Sequence, residues 1–449
     1  MKKLLTILLA TVLFVVANAQ SPFVVSPDNL EGYELSILGE SMSQNRQYVV
    51  GLEQMGMLPV IWETRLNDVI AIADADSVFI DPAEWGGEEE AYWEYGTKTG
   101  TFHAVNNQGT AVGSITGMNT ISHPIMFNYT TSDTYTVLAE PEGAVGCEAY
   151  GISEDGSVIA GFYFDESWIA KACIWTNNGQ TLTDLPTPTA EQLGFEIDYA
   201  EARWLSADGN TILGFVSDAA NGAWVAVLWI KQGEEYVVNP ICAQYYQSWS
   251  GEQVNPYSFF EPKALSANGE WVSLVVRDTY DFDSWDIPVT KAARYNVLTN
   301  TLEVLEIGEE TEAPEMFGIA DNGTAVGRNG MVGPFGGGAV DGVIWNAGST
   351  ELEKLTDRFA DDPYTMDMAA SALSFITADA CYAMGYSSTE SGTQTSFVVQ
   401  LQEVGLDAIN ATEKAPVKEG LFDMMGRKLN RATESGIYIL NGKKVYIRK

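Results

Sequence analysis

The chain has 449 residues, of which 46% are hydrophobic, 11% aromatic and 19% charged, and its formal net charge is −37. The stretch from Gln20 to Ala411 holds 13 basic and 57 acidic residues, a surface that repels phosphate backbones and excludes nucleic acid as a partner. Only two histidines occur, His103 and His123, neither placed with a second ligand at metal spacing, and no Gly-x-Ser-x-Gly, His-Glu-x-x-His or phosphate-loop motif is present. The N-terminus reads Met1-Lys2-Lys3, then an apolar run from Leu4 to Val16, then Ala17-Asn18-Ala19. A basic start, an apolar centre and an A-x-A site make residues 1–19 a secretory signal peptide with a mature start at Gln20. The run is too short to cross about 30 Å of hydrocarbon, and no later segment has the length of a transmembrane span.

From there a short phrase recurs seven times. Well-kept copies are Ser153-Glu-Asp-Gly-Ser-Val-Ile-Ala-Gly161 and Ser206-Ala-Asp-Gly-Asn-Thr-Ile-Leu-Gly214; others begin at Ser43, Asn106, Ser266, Ala320 and Thr377. Asp-Gly or Asn-Gly between apolar runs supplies the positive φ of a tight hairpin, joining strands a and b. The Gly ending strand b marks a crowded centre. A second phrase, such as Ala172-Cys-Ile-Trp175, Val227-Leu-Trp229 or Val343-Ile-Trp345, is strand c, its aromatic packed between neighbouring repeats. A polar turn then leads to strand d, as in Thr301-Leu-Glu-Val-Leu305. Four strands per ~50 residues, seven times over, predict an all-β fold, a seven-bladed β-propeller of four-stranded blades over residues 20–402. An open β-solenoid or a pair of sandwiches is the competing architecture. The last copy lacks a fourth strand, and the apolar segment Pro22 to Val25 is expected to supply it and close the ring.

Gly151-Ile-Ser-Glu-Asp-Gly-Ser-Val-Ile-Ala-Gly161 followed by Ala172-Cys-Ile-Trp175 resembles the HAF-type extracellular repeat, and more loosely the hairpins of TolB-like and WD-repeat propellers. The likeness runs from about Leu35 to Leu401 and implies a fold rather than an activity. It departs from the pattern at Arg46-Gln47 and at Ala380, where the turn glycine is missing. The sialidase Asp box is excluded by spacing, since Asp and Gly are adjacent here.

Four cysteines fall in the mature chain: Cys147, Cys173, Cys242 and Cys381. Cys147 and Cys173 lie on strands a and c of one blade, ~9–10 Å apart with strand b between them, which predicts buried free thiols. Asp74-Ala-Asp76 near Asp81 and Glu84, and Asp281-Phe-Asp283 near Asp286, leave calcium possible, although EF-hand spacing is lacking; no other cofactor is expected. Gly333-Pro-Phe-Gly-Gly-Gly338 is expected to be a loop.

The a–b and c–d turns are short, while the b–c and d–a connections, which share one end of the disc, are longer and rich in aromatics. Trp93, Trp168, Trp224, Tyr245, Trp249 and Trp285 are the candidate ligand-binding residues, suited to stacking on a sugar or anchoring a protein. No catalytic or metal residue stands out. The expected function is therefore a non-enzymatic binding protein, secreted or at the outer-membrane surface, recognising a glycan or protein. The alternative is a carbohydrate-active hydrolase or lyase using loop carboxylates on the same face.

Near residue 405 the charge changes sign: residues 412–449 hold nine Lys or Arg and four Asp or Glu. After a linker at 403–416, residues 417–449 form a small β-domain. Leu421-Phe-Asp-Met-Met-Gly-Arg-Lys-Leu429 and Ser435-Gly-Ile-Tyr-Ile-Leu-Asn-Gly-Lys-Lys-Val-Tyr-Ile447 resemble the C-terminal sorting domain of type IX secretion. That resemblance implies a partner in the secretion machinery.

Overall fold

In the computed structural model the recurring phrase builds the same turn each time. In the third copy the Ser153 hydroxyl donates to Asp155 Oδ1 at 2.7 Å and accepts from the Val158 N–H at 3.0 Å, while Asp155 Oδ1 also accepts from the Ser157 N–H at 2.9 Å. Ser206 with Asp208, Ser266 with Asn268, Ser43 with Asn45, and Thr377 with Asp379 repeat that arrangement. Gly156, Gly209 and Gly269 then take φ near +72°, +71° and +74°. Arg46 and Ala380, which break the sequence pattern, take the same left-handed conformation at φ 64° and 58°.

The structure describes residues 21–402, apart from 28, 31–32, 35, 81–91, 194–195, 219–222, 242–256, 279–289, 307–313, 331–339, 367, 369 and 389–393; beyond 402 it describes 421–422, 428–429, 436–440 and 443–447. Contacts divide the chain into two compact units, Met1–Gln402 and Glu403–Lys449. In the second, Gly436–Leu440 pairs with Lys443–Ile447, and Leu421–Phe422 links this hairpin to Lys428–Leu429.

Among the described residues of the first unit the hairpins extend into five four-stranded antiparallel sheets and one eight-stranded sheet, in which two four-stranded units, blades three and four, are joined. Their inner strands are Ile37–Met42, Thr99–Val105, Gly146–Ile152, Tyr199–Leu205, Tyr257–Leu265, Glu315–Ile319 and Ala370–Ile376. Each inner strand packs on the next and the seventh packs on the first, so the sheets form a closed ring, a β-propeller. Blades three and four also touch through a parallel bridge between Ala170 and Tyr199. The seventh sheet is completed by Phe23–Val25, which pairs with Gln394–Gln400 in the register Phe23↔Val399 and Val25↔Phe397. Closure therefore joins the two ends of the first unit, as the missing fourth strand implied.

Strand c supplies the bulk between blades. Trp62, Trp175 and Trp229 are fully buried and Trp345 nearly so. Each indole N–H is satisfied: by Asn67 Oδ1, Ala139 O, Pro186 O and Ser349 O respectively. Cys147 and Cys173 are buried free thiols in one cluster with Trp175; burial pushes the Cys147 thiol up to about 12.

The short turns also hold hands around the ring. The Asn45 N–H donates to Asn107 Oδ1 (2.6 Å), Asn107 to Glu154 Oε1 (2.9 Å), Glu154 to Ala207 O (2.8 Å) and Ala207 to Ala267 O (2.7 Å). Asn268 then donates to Asp321 Oδ1 (2.9 Å), Asp321 to Ala378 O (3.1 Å) and Ala378 to Gln44 Oε1 (2.7 Å). One link spans every blade boundary, always from a backbone N–H in the turn. Burial, with Glu270 and Asp379 nearby, pushes the Asp321 carboxyl above its ordinary value of 3.8. A raised carboxyl stabilises the fold below that ordinary value and loses the contribution as pH rises through the folded value. Asp321→Asn keeps the acceptor and removes the charge. It is expected to melt higher than the wild type at neutral pH, the advantage vanishing below pH 3.8 in calorimetric scans.

Two features differ from the sequence reading. The b–c connections of the first three blades are tight turns, such as Gly117 to Ile121, rather than long loops. The elaboration between blades one and two is itself a hairpin, Ala75–Ile80 with Tyr92–Thr97, anchored where Asp76 Oδ2 accepts from the Met118 N–H at 2.7 Å. In that turn exposed Thr120 sits at φ 63°, a costly conformation for a β-branched residue. Thr120→Gly should stabilise the protein by about 1 kcal/mol, visible as a higher urea midpoint at unchanged slope.

Candidate functional site

Each inner strand carries a β-bulge at the same place in all seven blades, and the fifth has a second irregularity between Tyr257 and Phe259. The registers skip between Gly39 and Ser41, Phe102 and Ala104, Ala149 and Gly151, Ala202 and Trp204, Pro262 and Ala264, Met316 and Gly318, and Leu373 and Phe375. A bulge leaves one residue unpaired and re-aims its side chain. Here the seven unpaired residues are Glu40, His103, Tyr150, Arg203, Lys263, Phe317 and Ser374, and all seven line a central channel of about 430 Å³. The bulge also explains the strand-b glycine. A Cβ on Gly161 would sit 2.0 Å from Glu148 O, and one on Gly214 1.9 Å from Glu201 O; Gly51, Gly113, Gly327 and Gly385 face the same obstruction.

The belt residues contact one another around the axis. His103 Nδ1 lies 2.6 Å from Glu40 Oε2, and Thr101 Oγ1 donates to Glu40 Oε1 at 3.2 Å. Burial would push the Glu40 carboxyl up, but His103, Thr101 and Arg203 together hold it below the usual carboxylate range. The His103 ring stacks on Tyr150 at 4.1 Å, and the Arg203 guanidinium lies over Tyr150 and Phe215 at 4.9 and 5.2 Å. Arg203 Nε donates to Glu201 Oε2 at 2.5 Å. Lys263 is held by Glu261 at 2.7 Å and Glu315 at 3.2 Å, and Glu315 also binds Arg328. His103 Nε2 and Asn106 Nδ2 are buried without a hydrogen-bond partner. His123, outside the belt, pairs with Glu140 at 2.7 Å.

The channel is lined by the C-terminal halves of the inner strands and by the turn residues that follow them. Trp168 does not line it. Trp168 stands on the b–c turn of blade three, 69% exposed, at φ 61°. Its N–H donates to Asp165 O at 2.8 Å, Asp165 Oδ1 accepts from the Ser167 and Ile169 N–H groups, and its ring rests against Phe164 at 6.0 Å. Trp93 lies in the connection between blades one and two, in its inserted hairpin, paired with Phe79; Trp224 is in a strand rather than a loop, paired with Ser217, because strand c of blade four begins early, at Ala223. Tyr245, Trp249 and Trp285 lie outside the described residues, as do Gly333 to Gly338 and the acidic cluster at 281–286. Asp74 is engaged by Lys98 and Tyr135, and Asp76 by the Ser77 and Met118 amides. Among the described residues no three His, Cys, Asp or Glu side chains converge as a metal site. No described helix is long and apolar enough to cross a membrane.

No known protein family matches the chain by sequence profile, and no curated protein matches it. Among solved structures it is similar to oligogalacturonate lyase from Vibrio parahaemolyticus, with 10% identity, 85% of this chain and 97% of that chain covered, and a TM-score of 0.47. It is also similar to TolB from Acinetobacter baumannii (11% identity, 77% and 76% covered, TM-score 0.37). Putative TolB from Agrobacterium tumefaciens is similar at 14% identity, with 60% and 80% covered and a TM-score of 0.35. Identities this low concern fold and not activity.

Proposed function

We propose that the chain is an exported, non-enzymatic binding protein, secreted or held at the outer-membrane surface, that meets a glycan or protein at the end of the ring bearing the b–c and d–a connections. The observation that carries this reading is Trp168. A large aromatic is fixed in a left-handed turn, braced by Phe164 and Asp165, and left 69% exposed, with Ile169 exposed beside it. Pre-organised exposed aromatics lose little entropy on binding and commonly anchor interfaces and sugar rings. Trp93, Trp224, Tyr245, Trp249 and Trp285 belong to the same proposed face. The signal-like residues 1–19 and the sorting-domain likeness of residues 417–449 support export through a type IX secretion machinery, with 403–416 as the linker. The HAF-type likeness of the repeats supports an extracellular setting.

The test is a glycan array with parallel product analysis on the sugars that bind. Trp168→Ala is expected to weaken the best ligand by about tenfold while melting unchanged, the effect of one lost stacking contact with its buried area. A variant that melts early with unchanged affinity would make Trp168 a loop anchor. Cleavage of the bound sugar would replace the binding reading with a hydrolase or lyase.

A further inference from the structure

We propose that the axial channel is a second site, which binds an amphipathic zwitterion of the amino-acid type: its ammonium at Glu40, its carboxylate at Arg203, and its apolar group in the channel segment beside the short-turn mouth. Glu40 is on blade one and Arg203 on blade four; both line the channel, and the Arg203 charge is near enough to help hold the Glu40 carboxyl down. Arg203 is fixed by its Nε–Glu201 bond and by the two rings that flank its plane, and it is 33% exposed. Its terminal nitrogens make no hydrogen bond among the described residues. An arginine held this way offers a planar pair of N–H donors matched to a carboxylate.

Glu40 is 36% exposed and ionised, and each of its oxygens takes one donor, leaving lone pairs for an ammonium. Lys263 is a poor competitor for the carboxylate, being 15% exposed and bound to two glutamates. Below the belt Trp204, Leu205, Leu265, Ile319 and Phe375 give the wall an apolar part, with Gln44, Asn106 and Glu154 at the mouth. A volume of about 430 Å³ lies in the range that encloses small ligands. A plain amine would leave the Arg203 donors unpaired, and a plain carboxylate would face Glu40 without compensation. Both losses are costly inside a channel.

The experiment is isothermal titration of the full mature chain with L-phenylalanine, 3-phenylpropanoate and 2-phenylethylamine. Phenylalanine is expected to saturate, and loss of either charged group to weaken binding at least about tenfold. Arg203→Gln should lower phenylalanine affinity by a similar factor and leave 2-phenylethylamine unchanged; Glu40→Gln should lower phenylalanine affinity likewise and leave 3-phenylpropanoate unchanged. The proposal is overturned if phenylalanine shows no saturable binding up to about 10 mM, or if 3-phenylpropanoate binds as well as phenylalanine. Because the analogue series uses the unaltered protein, it decides the matter even if a variant misfolds. Trp168→Ala should bind phenylalanine like the wild type, so failure here and failure at the outer face are separate results.

Discussion

Deleting residues 20–27 is expected to lower the melting temperature of the mature protein by about 6 °C. The segment supplies the fourth strand of the last blade. Phe23 is 7% exposed and packs edge-on against Phe359 and Phe397 at 5.3 and 5.4 Å, with Tyr364 at 5.0 Å. Beyond the strand, the Ser26 N–H donates to Ser396 O at 2.9 Å and the Gln400 N–H to Pro22 O at 3.0 Å. Loss of one buried Phe costs about 3–5 kcal/mol, and the bonds add about 1 kcal/mol each when their partners stay covered. With an unfolding entropy of about 2.1 cal/mol/K per residue, roughly 5 kcal/mol moves a body of this size by about 6 °C. An unchanged melting point would mean that the ring closes without this strand.

Arg294→Met is expected to cost about 3 kcal/mol, or about 4 °C in the same scan. Arg294 is 2% exposed, on strand c of blade five, with its guanidinium 4.2 Å from the Trp345 ring and 5.9 Å from Trp271. Nε donates to Glu303 at 2.7 Å, while Nη1 donates to Gly323 O and Asn346 O, in two different turns of blade six. A methionine fills the space but leaves Gly323 O without a donor and Asn346 O with only the Ser349 N–H, at 3.1 Å. Arg294→Lys should rescue little, since one ammonium cannot reproduce the fork. Loss below about 1 kcal/mol would show that solvent reaches those carbonyls.

Arg294 also marks where the sequence stops being readable. In Ala293-Arg-Tyr295 a charged residue interrupts an apolar run, so the anomaly is visible, but the carbonyls it binds and the Trp345 ring come from the next blade and have no sequence signature. The repeat itself was legible because Ser, Asx and Gly each do a fixed local job in the turn. Ring closure was legible because an unpaired strand and a missing strand could be matched. The axial belt was not, because its seven residues, from Glu40 to Ser374, share a backbone position and no chemistry. Its one trace was the glycine ending strand b, which reads as crowding and in six blades lies opposite the bulge, with Leu274 in that place in the fifth. The hydrogen-bonded ring of turns was hidden for a related reason: its donors are main-chain amides. Trp224 was misplaced because aromatic, polar-flanked segments look alike in a loop and at a strand end.

Calorimetry of the mature protein tests most directly whether the first unit is one closed ring that frames both sites. A ring has no blade that can leave without exposing both neighbours, so residues 20–402 should unfold in one transition whose van't Hoff and calorimetric enthalpies agree. Two well-separated transitions within that unit would contradict the closed ring.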